Sequence, residues 1–402
     1  MKHTLKLALT LALSALTLCA CNKVDTPEKV DVPKAGENAE TAVYTSVSDY
    51  EASVGSPFMA TALGDGLFTV IDEDFSMGII DADGNTVLPY EYVTARKICD
   101  GVVVVRSEDG WGYYNIDGRK FILDCKYDEV LDFSEGVGCY FDGEIYRYID
   151  TEGKPLFEGK ILEGSKFSDG LARVMTDDSL GYIGKDGKIS LYCDYEYFDD
   201  FHEGFARVAQ GDDIGFMRKN GELLKVVDGE RLYNFSNGYA QFVKDGKICL
   251  LGKDGKVALR TEYDALSHKM TDEYFSLTDG VLPMMKDGKY GFIDAEGNEV
   301  IAPEYALVMY PCEGIIRVRD ENKLYGYVKA DGTVIAECKF DTATEFSDGI
   351  ATVSEGGKYY FINVEGEALG EERYLDATAF SGDFALVYKD GADCWSVVKR
   401  AS

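Results

Sequence analysis

Acidic residues set two apart and closed by glycine are the first groups in this chain with the means to do chemistry. Asp81-Ala-Asp83-Gly84 places two carboxylates beside a glycine, as a hard-cation loop would. No copy goes on to supply the further ligands and the distal bidentate Glu that such a loop needs. Lys185, Lys219, Lys253 and Lys329 replace the first acid in other copies. An Asp that bonds the backbone ahead of it, followed by a left-handed glycine, makes a hairpin turn without any ion. The turn reading is preferred, and neither a metal site nor a cofactor is expected.

Nucleophilic chemistry is poorly provided for. Beyond the N-terminal segment only His202 and His268 occur, and neither lies in a serine or cysteine nucleophile motif. Of the ten cysteines, eight follow Cys21; they are scattered singly, with no CxxC pair, so zinc or thioredoxin-like chemistry is not indicated. Cys125, Cys193 and Cys338 share one phase of a repeat, and Cys99 and Cys312 another, which reads as small buried core residues, with disulfides left open. No GxGxxG or GxxxxGK[ST] phosphate loop appears. With 72 acids, paired-carboxylate hydrolysis needs two of them facing across a cleft, which spacing does not reveal. No catalytic residue is assigned.

The elements that carry these residues recur. An aromatic-Gly-aromatic-aliphatic strand and a turn ending in glycine read MGIIDADG at 77–84, WGYYNIDG at 111–118, LGYIGKDG at 180–187, IGFMRKNG at 214–221, YGFIDAEG at 290–297 and YGYVKADG at 325–332. Looser copies are YRYIDTEG at 146–153, ICLLGKDG at 248–255 and YYFINVEG at 359–366. A second turn follows in each unit: FSEG at 133–136, FSDG at 167–170 and 346–349, FHEG at 201–204 and FSNG at 235–238. His202 takes the serine slot, so an exposed turn histidine is preferred. Tyr90-Glu91, Tyr127-Asp128, Tyr263-Asp264 and Phe340-Asp341 also keep the period, which makes them structural first. Short alternating strands with glycine turns and no 3.6-residue period predict an all-β fold of tandem meander or hairpin units.

A fixed period of this size means that one small unit is stacked on its copies. The unit resembles the WG repeat family, on the aromatic-Gly strand, the D-x-D/E-G turn, the Tyr/Phe-Asp/Glu pair and the F-S-D/E-G turn together. Trp111-Gly112 is the one true Trp-Gly, and Arg147, Cys249 and Tyr360 replace the glycine. The resemblance covers about nine units, residues 75–400, and implies a repeat scaffold and no reaction. A propeller-like ring and an open superhelical array both fit the pattern. Residues 57–74 and the half-copy Cys394-Trp-Ser-Val-Val398 would either cap an array or pair to close a ring.

The N-terminus reads as an address. Lys2, His3 and Lys6 precede an apolar run from Leu7 to Leu18, too short for a comfortable membrane span. Leu18-Cys19-Ala20-Cys21 resembles the lipobox of bacterial lipoproteins, which implies a signal peptide over 1–20 and lipidation of Cys21. Residues 21–56 read as a flexible tether and 57–402 as the repeat domain. Without Lys2 and Lys6, 39 basic residues face 72 acidic ones, a net of −33. That charge excludes nucleic acid as a partner and leaves the lipid as the only hold on a membrane.

One departure from the period reads first as a tolerated surface insertion, since lengthening a loop costs little, and second as a candidate recognition loop. Cys249 and Gly291 hold equivalent positions 42 residues apart instead of 34 or 35, and the excess falls at Ser267–Phe275. The expectation is an extracytoplasmic, lipid-anchored, non-catalytic scaffold in the cell envelope that binds an envelope protein, peptide or glycan. The alternative is an extracytoplasmic hydrolase using paired carboxylates on the array.

Overall fold

The computed structural model describes residues 46–53, 59–211, 213–226, 230–265 and 277–401. Every regular element among them is a strand, and every strand pairing is antiparallel, joining neighbours in the chain except where the two ends of the chain meet. The second unit shows the plan: Thr94–Cys99, Val102–Arg106, Trp111–Asn115 and Lys120–Tyr127 run as a four-stranded meander. The aromatic-Gly strand is therefore the third of its unit. Residues 57–74, read from the sequence as a terminal piece, supply the first two strands of the first unit, Met59–Gly64 and Leu67–Ile71. Among the described residues the chain forms ten units, one more than the sequence count, because of this frame shift and the closing sheet described below.

The turn between the first and second strands is tight for a specific reason. Both central residues have positive φ, as at Glu135 (55°) and Gly136 (78°) or Asp169 (54°) and Gly170 (78°). A two-residue loop of this kind matches the twist of the strands it joins. Glu and Asp are unusual in the left-handed region, and their carboxylates are held by the next unit, as shown below.

The Trp-Gly glycine has a different cause. The fourth strand bulges opposite it, and a Cβ on Gly112 would lie 2.5 Å from the Leu123 carbonyl oxygen. On Gly181 it would lie 2.2 Å from the carbonyl of Leu191, and on Gly291 2.4 Å from that of Ile301. Where the glycine is lost, the fourth strand changes. Opposite Arg147 and Tyr360 it is reduced to isolated bridges, Tyr146 with Ile161 and Tyr359 with Tyr374. Opposite Cys249 it pairs directly with Arg260, and the bulges lie to either side, between Lys247 and Cys249 and between Leu250 and Leu251.

Among the described residues sheets pack face to face through apolar clusters, ten of which each join a pair of neighbouring units, while an eleventh gathers Met285, Tyr290, Met309 and Tyr310 around Tyr233 and Val243. Val103, Val105 and Tyr114 of the second unit close on Ile79, Val87 and Leu88 of the first. Tyr182 of the fourth closes on Phe198 and Phe201 of the fifth. Each fully buried aromatic or aliphatic side chain contributes about 1.5–3 kcal/mol, and no sheet alone could bury both of its faces. The tenth cluster joins Phe68, Val70 and Ile80 of the first unit to Leu386, Trp395 and Val397 of the last. The array therefore closes into a propeller-like ring; the open superhelix is excluded by this contact.

Closure uses both ends of the chain. Ser46–Ser53 pairs along Ser396–Ala401 and becomes the outermost strand of the last sheet. That strand lies within the segment read as tether, so the folded part begins earlier than residue 57. An outer strand needs backbone partners more than apolar side chains, and Ser46-Val-Ser-Asp-Tyr-Glu-Ala-Ser53 has few of the latter. The remainder of 1–56 apart from this strand, Cys21 included, lies outside the described residues.

Candidate functional surfaces

The acidic turns that invite a cation are engaged as turns. Asp81 Oδ1 accepts from the Asp83 and Asn85 amides at 3.1 and 2.8 Å, and Oδ2 from Asn85 Nδ2 at 3.2 Å. Asp294 repeats the arrangement with Glu296 and Asn298. Their glycine then serves as a docking point for the preceding unit. A Cβ on Gly153, Gly332 or Gly366 would come within 2.4–2.7 Å of the carbonyls of Ile122, Val300 or Ile335. Sequence reasoning found the turn but missed this contact, which becomes visible only once neighbouring sheets are stacked.

The F-S-D/E-G turns form a linked collar. Gly136 N–H donates to Asp100, Gly170 to Glu135, Gly204 to Asp169, Gly238 to Glu203, Gly314 to Asp279 and Gly349 to Glu313, at 2.5–3.0 Å. The serine slot points the same way around the ring: Ser134 Oγ donates to the Phe167 carbonyl at 2.7 Å and Ser168 Oγ to that of Phe201 at 2.5 Å. Lys185 and Lys253, which break the D-x-D pattern, reach back to Glu135 and Glu203 at 3.3 and 3.0 Å. His202 lies in this collar not as an exposed turn residue but half-buried, as the last residue of the strand Tyr197–His202, paired with Phe205.

Buried tyrosines stitch the units below the collar. Tyr113, Tyr148, Tyr182 and Tyr327 donate their hydroxyls to the carbonyls of Leu131, Ser165, Asp199 and Thr344, each in the next unit, at 2.5–2.9 Å. Burial raises all four phenols well above their ordinary value, which keeps them as donors. Beside them, arginines on the second strands bridge to the next first strand. Arg173 reaches the Phe198 carbonyl and Asp200, and Arg317 the Ala343 carbonyl and Glu345. Arg207 reaches the Leu232 carbonyl and its own unit's Asp199. Burial pushes the Asp199 carboxyl up, yet Arg207 and two further hydrogen bonds, from the Asp200 amide and the Tyr197 hydroxyl, more than offset this and hold it below the ordinary carboxylate range.

The Tyr/Phe-Asp/Glu pairs also serve the stack: Tyr127 meets Tyr140 of the next unit edge-on at 4.7 Å. Among the described residues the eight cysteines are thiols and no two of them are joined as a disulfide. Burial pushes the Cys139 thiol up to about 12 and that of Cys125 to about 11.

The seam between the sixth and seventh units departs from the plan. There the two sheets fuse into seven strands through one pairing, Asp264 with Met285. Beyond it a cleft of about 340 Å³ opens along Leu259–Tyr263, bounded by Lys286, Glu296 and Gly297. Tyr263 OH donates to Glu299 at 2.6 Å, and this bond, with burial, raises its phenol to about 12. Lys286 lies 3.7 Å from the same carboxylate. The predicted recognition loop, Ser267–Phe275 with His268, lies outside the described residues; the cleft flanks the chain on both sides of it.

The fold and these contacts define a closed all-β repeat scaffold. Six stretches, residues 111–140, 146–178, 181–212, 230–247, 290–323 and 325–359, match the family model described as WG containing repeat, so the chain carries WG repeats across 111–359. No curated protein matches it in sequence. A eukaryotic initiation factor aligns at a TM-score of 0.47 with 10% identity, over 82% of this chain and 97% of its own. BamB from Moraxella catarrhalis aligns at 0.31 with 13% identity, over 77% and 99%. The WD40 domain of SCAP from fission yeast aligns at 0.34 with 9% identity, over 88% and 97%. Among the described residues no helix is long and apolar enough to cross a membrane.

Proposed function

We propose that the protein is a lipoprotein of the cell envelope whose ring acts as a non-catalytic scaffold for an envelope protein, peptide or glycan. One observation carries the scaffold reading. The acids, serines and tyrosines that recur with the repeat are spent on bonds from one unit to the next, as Glu135 is on Gly170 and Tyr182 on Asp199. What is left to meet a partner is the extended outside of the stack. The anchor reading rests on Leu18-Cys19-Ala20-Cys21 and on the acidic ectodomain, which needs a lipid to stay at an anionic surface.

Two experiments test the parts separately. Cys21→Ser should abolish lipid labelling and release the protein from the membrane fraction; continued membrane partition would count against the anchor. The soluble 22–402 fragment should capture one reproducible partner from envelope extract. Turnover of a glycan or peptide panel by that fragment would transfer the assignment to the hydrolase alternative.

A further inference from the structure

The seam cleft rests on the scaffold reading and narrows it. Val257–Asp264, the fourth strand of the sixth unit, is hydrogen-bonded to Lys247–Gly252 on one side. Among the described residues its other edge pairs only at Asp264, with Met285 of the strand Val281–Lys286. That neighbouring strand ends one residue later, and the cleft opens where its antiparallel course would have continued beside Leu259–Tyr263.

The side chains along this edge alternate. Arg260 and Glu262 are exposed on one face, while Leu259, Thr261 and Tyr263 turn toward the stack and are half-buried. Arg260 has no carboxylate partner and Glu262 no cationic one among the described residues, whereas many charges elsewhere are paired, as Lys247 is with Asp264 at 2.6 Å. Opposite charges directly across a strand pair stabilise it, and like charges oppose it. Open backbone groups supply affinity in strand addition, and alternate side chains supply its specificity.

We propose that an extended peptide segment of a partner protein docks in this cleft, adding antiparallel to the edge Leu259–Tyr263. It carries a basic and an acidic residue two positions apart, in the order Lys-x-Glu. Antiparallel pairing sets the Lys across from Glu262 and the Glu across from Arg260, continuing the sense already fixed by Asp264 and Met285.

The test uses the mature chain with Cys21→Ser and a fluorescein-labelled peptide, Thr-Val-Lys-Val-Glu-Val-Thr, read by fluorescence anisotropy. Saturable binding is expected. It should weaken about tenfold or more against Arg260→Glu/Glu262→Lys and recover for the peptide with Lys and Glu exchanged. An unchanged urea midpoint shows that the variant is folded. A peptide N-methylated at its lysine should lose binding, because alternation from the Asp264–Met285 pair makes the position across from Glu262 a hydrogen-bonded one. Absent binding, indifference to the charge reversal, or equal binding of the N-methylated peptide would each overturn the proposal. If the reversed variant captures the envelope partner as well as the parent does, this site falls while the scaffold reading stands.

Discussion

Ser381 Oγ donates to the carbonyl of Leu67 at 2.8 Å, joining residues 314 positions apart. Like the bond from Ser134 to Phe167 between the third and fourth units, it links a turn serine to a carbonyl of the following unit, although Leu67 lies just after that unit's turn and Phe167 just before its own. Ser381 also accepts the Gly64 amide at 3.1 Å. The last unit thus treats the first as its successor, and the seam between the chain ends is an ordinary interface.

Replacing Ser381 by Ala should therefore cost what an interior interface costs. It strands the Leu67 carbonyl in a buried site, an expected loss of roughly 1–3 kcal/mol. Urea unfolding of Ser381→Ala and Ser134→Ala should show similar falls. A neutral Ser381→Ala beside a costly Ser134→Ala would mean that the ends do not meet.

Glycines of the same composition class should separate sharply. Gly181→Ala places a methyl 2.2 Å from the Leu191 carbonyl, whereas Gly170, already at positive φ, has open space at its Cβ. Gly181→Ala should lose roughly 1–3 kcal/mol by forcing the bulged strand away. At Gly170 the cost should come from backbone strain alone and be relieved by Asn, which tolerates that region. Equal tolerance of Ala and Asn at Gly181 would contradict the close-approach account.

Acid should weaken the ring partly through Asp199. Its carboxyl titrates lower in the folded chain than in the unfolded one, so the unfolded state binds the proton more readily and stability rises with pH across that window. The contribution is complete above the ordinary carboxylate value of about 3.9 and is lost as pH falls through the lower folded value. Asp199→Asn should thus reduce stability at pH 7, with the gap to the parent narrowing below pH ~4. A gap that stays constant down to pH ~2.5 would contradict the pairing with Arg207.

Much of this architecture was legible in the chain. The period, the strand content and both turns follow from glycine spacing, since a left-handed position leaves few residue choices. Ring closure was not, because it uses Ser46–Ser53, whose polar composition resembles a linker and which joins the last sheet by strand pairing. The loss of glycine at Arg147, Cys249 and Tyr360 was read as repeat decay. It marks the three units whose fourth strand differs: two keep only isolated bridges, and in the sixth the bulge moves to lie between Lys247 and Cys249. The second of these, Cys249, pairs with Arg260 on the cleft strand and lies 18 residues before Ser267, where the insertion begins.

Thiol chemistry should report on the same stacking. Cys139 lies between the third and fourth units with its thiol raised to about 12 by burial. At pH 8 it should resist iodoacetamide in the native ring and react only on unfolding, as read by peptide mass mapping. Rapid native labelling would place it at a surface.

The most direct measurement is hydrogen–deuterium exchange of the segment 46–53 in the intact, mature chain. A closed ring predicts slow exchange there, released together with 396–401 when Ser381→Ala loosens the seam. Complete exchange of 46–53 within seconds, beside a protected 396–401, would contradict closure by the N-terminal strand.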